Sequence, residues 1–133
     1  MNDYYEQARE YKNNELKSRG EVQIARFLKK SGIAYQYEYP QALIDQGKTK
    51  IWYPDFRLPQ YGMMVEYFGI NGDHGYDSRT EHKIETYRRE GIDGLFLKEK
   101  DLEGDWPARI LSKIENIQKS RLDRILQCKD RAY

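Results

Sequence analysis

YPDFRLPQYGMMVEYFGINGDH, residues 53–74, holds two short β-type runs joined by a turn, each carrying one acidic residue. With Leu58 facing Met63 across Pro59-Gln60-Tyr61-Gly62, counting back along both strands sets Asp55 opposite Glu66. Cross-strand partners have Cβ atoms roughly 4.5–5.5 Å apart, and like charges at that separation destabilise a sheet. The pairing makes chemical sense if a cation binds between the carboxylates. Oxygen-only ligation favours a hard ion, Mg²⁺ or Mn²⁺, over zinc. Such ions activate water and stabilise charge developing on a phosphate. The plain alternative is two solvated acids on an exposed sheet face, neutralised by Arg57 two positions from Asp55.

Period-2 alternation sorts the faces of this pair of strands. Phe56, Leu58, Met63, Val65 and Tyr67 point one way, toward a core. Tyr53, Asp55, Arg57, Met64, Glu66 and Phe68 point the other way and form a mixed, polar face. Upstream, SRGEVQIARFLKKSGI (18–33) places Ser18 three residues before Glu21, the spacing of a capping box. The apolar stripe Val22, Ile24, Ala25, Phe27 and Leu28 then predicts an amphipathic helix that Gly32 ends. YQYEY (35–39) reads as a strand bounded by Pro40, and a loop with Asp45, Gly47 and two lysines leads back to residue 53.

Downstream, Gly69, Gly72 and Gly75 predict a loop that also contains Asp73, His74, Tyr76 and Asp77. Ser78 and Glu81 repeat the capping-box spacing and predict a helix over 79–90 that Gly91 ends. GLFLK (94–98) reads as a buried strand. From Trp106, WPARILSKIENIQKSRLDRILQCK reads as a helix with Pro107 in its first turn and Ile110, Leu111, Ile114 and Ile117 as its stripe. The expected order is helix, three strands, helix, strand, helix, an α/β chain.

The length of 133 residues fits one domain with a modest core. A polar helix or arm is expected at 1–17 and a basic helical extension at 120–133. The 23 lysines and arginines balance 22 acids, so any attraction for nucleic acid must come from local patches. The single Cys128 excludes an internal disulfide and a cysteine-rich zinc site. No apolar run approaches the roughly 18 residues of a membrane span, and MNDYYEQAREYKNNE lacks the apolar centre of a signal peptide. A cytoplasmic location and no membrane association are expected.

Outside the hairpin, Glu21 doubles as the capping-box glutamate and as a third acid on the helix stripe that leans toward the sheet. Lys83 has Arg79, Thr80, Thr86 and Tyr87 at helical spacing and no carboxylate among them, so its ammonium is available to the sheet face. There it would hold an attacking water or a phosphate. His74 and His82 do not make a zinc motif and read as surface residues, His74 being the more interesting because it lies in the glycine loop. Lysines and arginines at 109, 113, 119, 121, 124, 129 and 131 make the last helix basic, which suits a phosphate backbone or a solvated face equally. Some of the twelve tyrosines would stack on bases, most being sheet and core residues.

The ordered set of SxGE helix, YPDF strand, VEYFG strand, glycine-bearing loop and lysine-bearing helix, spanning about Ser18 to Ile117, resembles the PD-(D/E)XK nuclease superfamily. The version similar to this one occurs as a C-terminal module in some bacterial DNA helicases and in small phage resolvase-like nucleases. The resemblance implies a restriction-endonuclease-like domain over 18–119: a mixed central β-sheet flanked by helices. It also implies metal-dependent endonucleolytic hydrolysis of DNA by water, in repair or recombination, with Mg²⁺ or Mn²⁺ and no organic cofactor. Asp55, Glu66 and Glu21 would be the acids and metal ligands, and Lys83 the catalytic lysine. Tyr53, His74, Tyr76 and Arg79 would contact nucleic acid. A homodimer is one way for so small a nuclease to cut both strands. One departure is that the superfamily usually places lysine two residues after the second acid, where this chain has Phe68. A binding module on the same fold without activity, and a ribonuclease, are the alternatives.

Overall fold

The computed structural model describes residues 18–69 and 74–132, the side chains of 74–77 and 130–132 excepted. The expected arm at 1–17 lies outside the described residues. Helix α1 spans Arg19–Lys30. Five strands follow: β1 (Gln36–Tyr37), β2 (Gln41–Asp45), β3 (Lys48–Trp52), β4 (Phe56–Leu58) and β5 (Met63–Phe68). Helix α2 (His74–Arg89), strand β6 (Asp93–Lys98), a short 3-10 turn (Glu99–Glu103) and helix α3 (Trp106–Ala132) complete the elements of the described residues. The fold is mixed α/β.

The central sheet runs β1-β4-β5-β6. Leu58 pairs with Met63 and Phe56 with Val65, the register that the four-residue turn predicts. Strand β6 adds parallel to β5, with α2 as the crossover between them. The sheet is therefore mixed, and both its faces are covered. On one face Phe56, Leu58, Met63, Val65 and Leu97 meet Ile24, Ala25 and Leu28 of α1 and Ile110, Ile114 and Ile117 of α3. Burying each such aliphatic side chain contributes about 1.5–3 kcal/mol.

The opposite face was expected to be mixed and polar, but it carries a second cluster. Met64 packs there with Tyr87 of α2 and Leu43 of β2. Glu66 on the same face is 1% exposed. The crossover helix and the β2–β3 hairpin remove it from water, which is the usual fate of a strand that pairs in parallel.

Two helix ends follow their glycines. Gly32 (φ 70°) and Gly91 (φ 69°) adopt the left-handed conformation that an L side chain resists. The Ile33 N–H donates to Leu28 O and the Ile92 N–H to Tyr87 O, both at 2.9 Å, closing Schellman motifs. At the start of α1, Ser18 Oγ accepts the Glu21 N–H at 3.2 Å.

Four expectations need correction. The loop assigned to Asp45 and Gly47 is the β2–β3 hairpin, turned by Gln46 (φ 53°) and Gly47 (φ 75°). The strand expected over 35–39 shortens to two residues because Glu38 takes φ 50° and its N–H turns to Asp55 O. Helix α2 begins at His74, so Ser78 and Glu81 lie within it and are not its cap. Leu111, assigned to the core stripe of the last helix, is 48% exposed, while Trp106, Ile110, Ile114 and Ile117 form that stripe. Beyond Ile117, α3 continues unbroken, with its side chains exposed through residue 129. Among the described residues no helix is long and apolar enough to cross a membrane.

Candidate functional site

Asp55 and Glu66 interlock through the hairpin backbone. The Asp55 N–H donates to Glu66 Oε1 at 3.0 Å, and the Tyr67 N–H donates to Asp55 Oδ2 at 2.7 Å. Asp55 itself sits in the bend just before β4, where the ladder leaves its side chain free to accept. Arg57 does not neutralise the acids. Its Nη1 donates to Gln36 Oε1 at 3.3 Å, and its guanidinium lies 5.3 Å from the centre of the Tyr39 ring.

Among the described residues, the cation that reaches the pair is Lys83. Its Nζ forms an ion pair with Glu66 Oε2, the carboxylate being buried and the lysine about one quarter exposed. On α2, spacing alone would turn a stripe of Thr80, Ile84 and Tyr87 toward the sheet with Lys83 at its border; in the structure Thr86 and Tyr87 are buried, Ile84 is 39% exposed, and Lys83 reaches the sheet. The Tyr87 hydroxyl also donates to Glu66 Oε1, at 3.4 Å. A tyrosine four residues after Lys83 shares its helix face, and that spacing was the available signal for it.

Glu21 stands on α1, 9% exposed, and its Oε2 accepts the Tyr37 hydroxyl. It is near enough for its charge to push up the pKa of Asp55. Among the described residues no three His, Cys, Asp or Glu side chains gather into one metal-type cluster. Asp55 and Glu66 form the inner pair, with Glu21 an outer acid tied to Tyr37.

The electrostatics follow from burial. Asp55 is raised to about 7, by desolvation first and the Glu66 charge second, against the opposing Tyr67 N–H. Glu66 is also raised by burial, with the Lys83 ammonium pulling the other way. Burial, then the neighbouring carboxylate, holds the Tyr37 and Tyr87 phenols far above their ordinary range, so both remain hydrogen-bond donors. When both inner acids are ionised, two negative charges face one ammonium in a water-poor setting. The uncompensated charge and the all-oxygen donors fit a hard divalent cation.

Beside this cluster a groove of about 630 Å³ runs between the end of β3 and α2. Ile51 and Trp52 of β3 and Tyr53 just past its end line one side, and Ser78, Arg79, His82 and Lys83 of α2 the other. Two of the expected nucleic-acid contacts, Tyr53 and Arg79, therefore share one groove with Lys83. The side chains of the other two, His74 and Tyr76, lie outside the described residues, as do residues 70–73 of the expected glycine loop; Gly75, Tyr76 and Asp77, assigned to that loop, have helical backbone in α2. The backbone of His74 is helical.

One polar cluster was not anticipated from the sequence. Asp45, 2% exposed, accepts from Lys50 Nζ at 3.0 Å and meets His82 Nε2 at 3.0 Å. Arg89 approaches its other oxygen at 3.8 Å. The hydrogen bonds to His82 and Lys50 hold the Asp45 carboxyl below its usual range. This cluster ties the β2–β3 hairpin to α2 and so sets one side of the groove. No family model, curated protein or solved structure matches the chain, so the site rests on its own geometry.

Proposed function

We propose that this protein is a divalent-metal-dependent nuclease of the restriction-endonuclease-like fold that hydrolyses phosphodiester bonds in DNA. The observation that carries the proposal is the convergence of a buried carboxylate, Glu66, and a partly buried one, Asp55, from one hairpin with a lysine from the crossover helix. Asp55 and Glu66, with Glu21 as the outer acid, would hold Mg²⁺ or Mn²⁺, which supplies positive charge to the phosphate and acidifies water. Lys83, fixed by Glu66, supplies a second positive charge on the groove side, where it orients the attacking water or an oxygen of the phosphate. Tyr87 holds Glu66 in place, and Tyr37 does the same for Glu21. Phe68, standing where the superfamily pattern has lysine, stacks on Phe96 at 5.7 Å, so the ammonium comes from α2 instead.

Incubation of nicked, branched and single-stranded DNA with graded Mg²⁺ or Mn²⁺ tests this. Cleavage should require the ion and fall at least about 100-fold in Asp55→Ala and Glu66→Ala. Either variant cutting at the wild-type rate overturns the assignment. A second reading, a non-cleaving binding module, draws on the Lys83–Glu66 ion pair, which gives the buried acid a partner within the protein. Metal-independent binding without cleavage, unchanged in Lys83→Ala, would favour it. RNA offered alongside DNA separates a ribonuclease from either.

A further inference from the structure

We infer that the groove between the β2–β3 hairpin and α2 receives one unpaired nucleotide of the strand to be cut, Tyr53 stacking on its base while Arg79 and His82 hold the adjoining phosphate. The inference rests on the nuclease reading for the fate of the strand, but not for its binding.

The two sides of the groove differ in chemistry. From the hairpin side come Tyr53 and Ile51, each 59% exposed, an apolar and partly aromatic surface open to solvent. From the helix side come Arg79, His82 and Lys83, and among the described lining residues there is no carboxylate. A ligand that is flat and apolar at one end and anionic at the other complements both, and a nucleotide is such a ligand. The groove, at about 630 Å³, is within the range of small-ligand sites.

His82 is held in place for this task. Its Nε2 is engaged by the buried Asp45, and its ring meets the edge of Trp52 at 6.3 Å. Trp52 in turn packs on Tyr87 at 5.7 Å, and Tyr87 donates to Glu66. The groove is thus continuous with the acid pair, and Lys83 belongs to both. A phosphate held by Arg79 and His82 would place the next linkage of the strand toward Glu66.

The aromatic surface also selects the class of substrate. Inside a duplex each base is stacked on both faces and presents only its edges, so Tyr53 has nothing to cover. A single strand, a flap or a branch point offers a bare base face on which an aromatic side chain stacks.

Fluorescence anisotropy in EDTA, with labelled single-stranded, flapped and blunt duplex DNA, tests the assignment. Wild type should bind the first two more tightly than the duplex. Tyr53→Ala should weaken those two about 10-fold and leave the duplex unchanged, while Tyr53→Phe behaves as wild type. The inference is overturned if Tyr53→Ala binds single strands like wild type, if all three substrates weaken equally, or if wild type does not prefer unpaired DNA. Parallel cleavage assays with Mg²⁺ separate the two proposals. Tyr53-dependent binding without Asp55-dependent cleavage sinks the nuclease reading and leaves the subsite standing. Asp55-dependent cleavage with no effect of Tyr53→Ala on binding does the reverse.

Discussion

Replacing Asp55 with asparagine removes a group that resists ionisation while keeping its shape, its peptide N–H and an oxygen for the Tyr67 N–H. In the wild type, burial reinforced by the Glu66 charge lifts the Asp55 pKa from 3.8 to about 7. The folded protein therefore holds a proton that the unfolded chain releases between those two values. Stability is complete below the unfolded pKa, falls as pH rises through the folded pKa, and is level above it. At about 1.4 kcal/mol per pH unit, the full loss is about 4 kcal/mol. Asp55→Asn has no such titration, so the two proteins should be nearly equal in stability at pH 4. At pH 8.5 the variant should be more stable by up to about 4 kcal/mol. Urea denaturation followed by tryptophan fluorescence at pH 4, 5.5, 7 and 8.5 measures the gap directly. A difference that does not change with pH, or a variant less stable than wild type at pH 8.5, would refute the reasoning.

Lys83→Met strips the buried carboxylates of their ammonium, so the Glu66 pKa should rise further, visible by carboxyl ¹³C NMR. Cleavage under the proposed function should fall about 100-fold or more. Asp45→Ala unties the β2–β3 hairpin from His82 of α2 and removes the Lys50 bond within the hairpin, and amide exchange over 42–51 should quicken. Because the Asp45 pKa is depressed in the folded protein, its contribution is present above the ordinary carboxylate pKa. It is lost as pH falls through the folded value, so wild type at acid pH should exchange like the variant. Gly91→Ala forces a side chain into φ 69° at the end of α2 and should cost about 1–2 kcal/mol in thermal or chemical denaturation.

The pairing of Asp55 with Glu66 was legible because a four-residue turn sets the register and one residue of slip would invert both faces. Gly32 and Gly91 marked helix ends for an equally local reason, the left-handed conformation that closes a Schellman motif. Lys83 was legible as a candidate because its helical neighbours offered it no carboxylate, although the partner it takes is on a strand. What stayed hidden depends on contacts between distant segments. Asp45 looked like a loop residue because His82 and Arg89 come to it from another element. The hairpin around it carried a readable Gln46-Gly47 turn, but the polar Lys48-Thr49-Lys50 run masked the alternation of β3. The burial of Met64 and Glu66 was likewise invisible until α2 crossed over the sheet. Tyr37 and Tyr87 passed as ordinary core aromatics, since their hydroxyl partners, Glu21 and Glu66, lie on other elements.

The interlock of Asp55 and Glu66, eleven positions apart in one hairpin, also bears on the order in which the chain folds. Contacts so close in sequence have little loop entropy to overcome and can form early, whereas the Lys83 contact also requires α2 to form and dock over the sheet. Near neutral pH the two acids would therefore meet while still hydrated and before their ammonium arrives. Repulsion between them would keep the hairpin reversible at that stage. Docking of α2 would then do two things in one event: exclude water from the acids and deliver the charge that makes their exclusion tolerable. On this route the site is the last part of the sheet to become committed, and the crossover helix is the part that commits it.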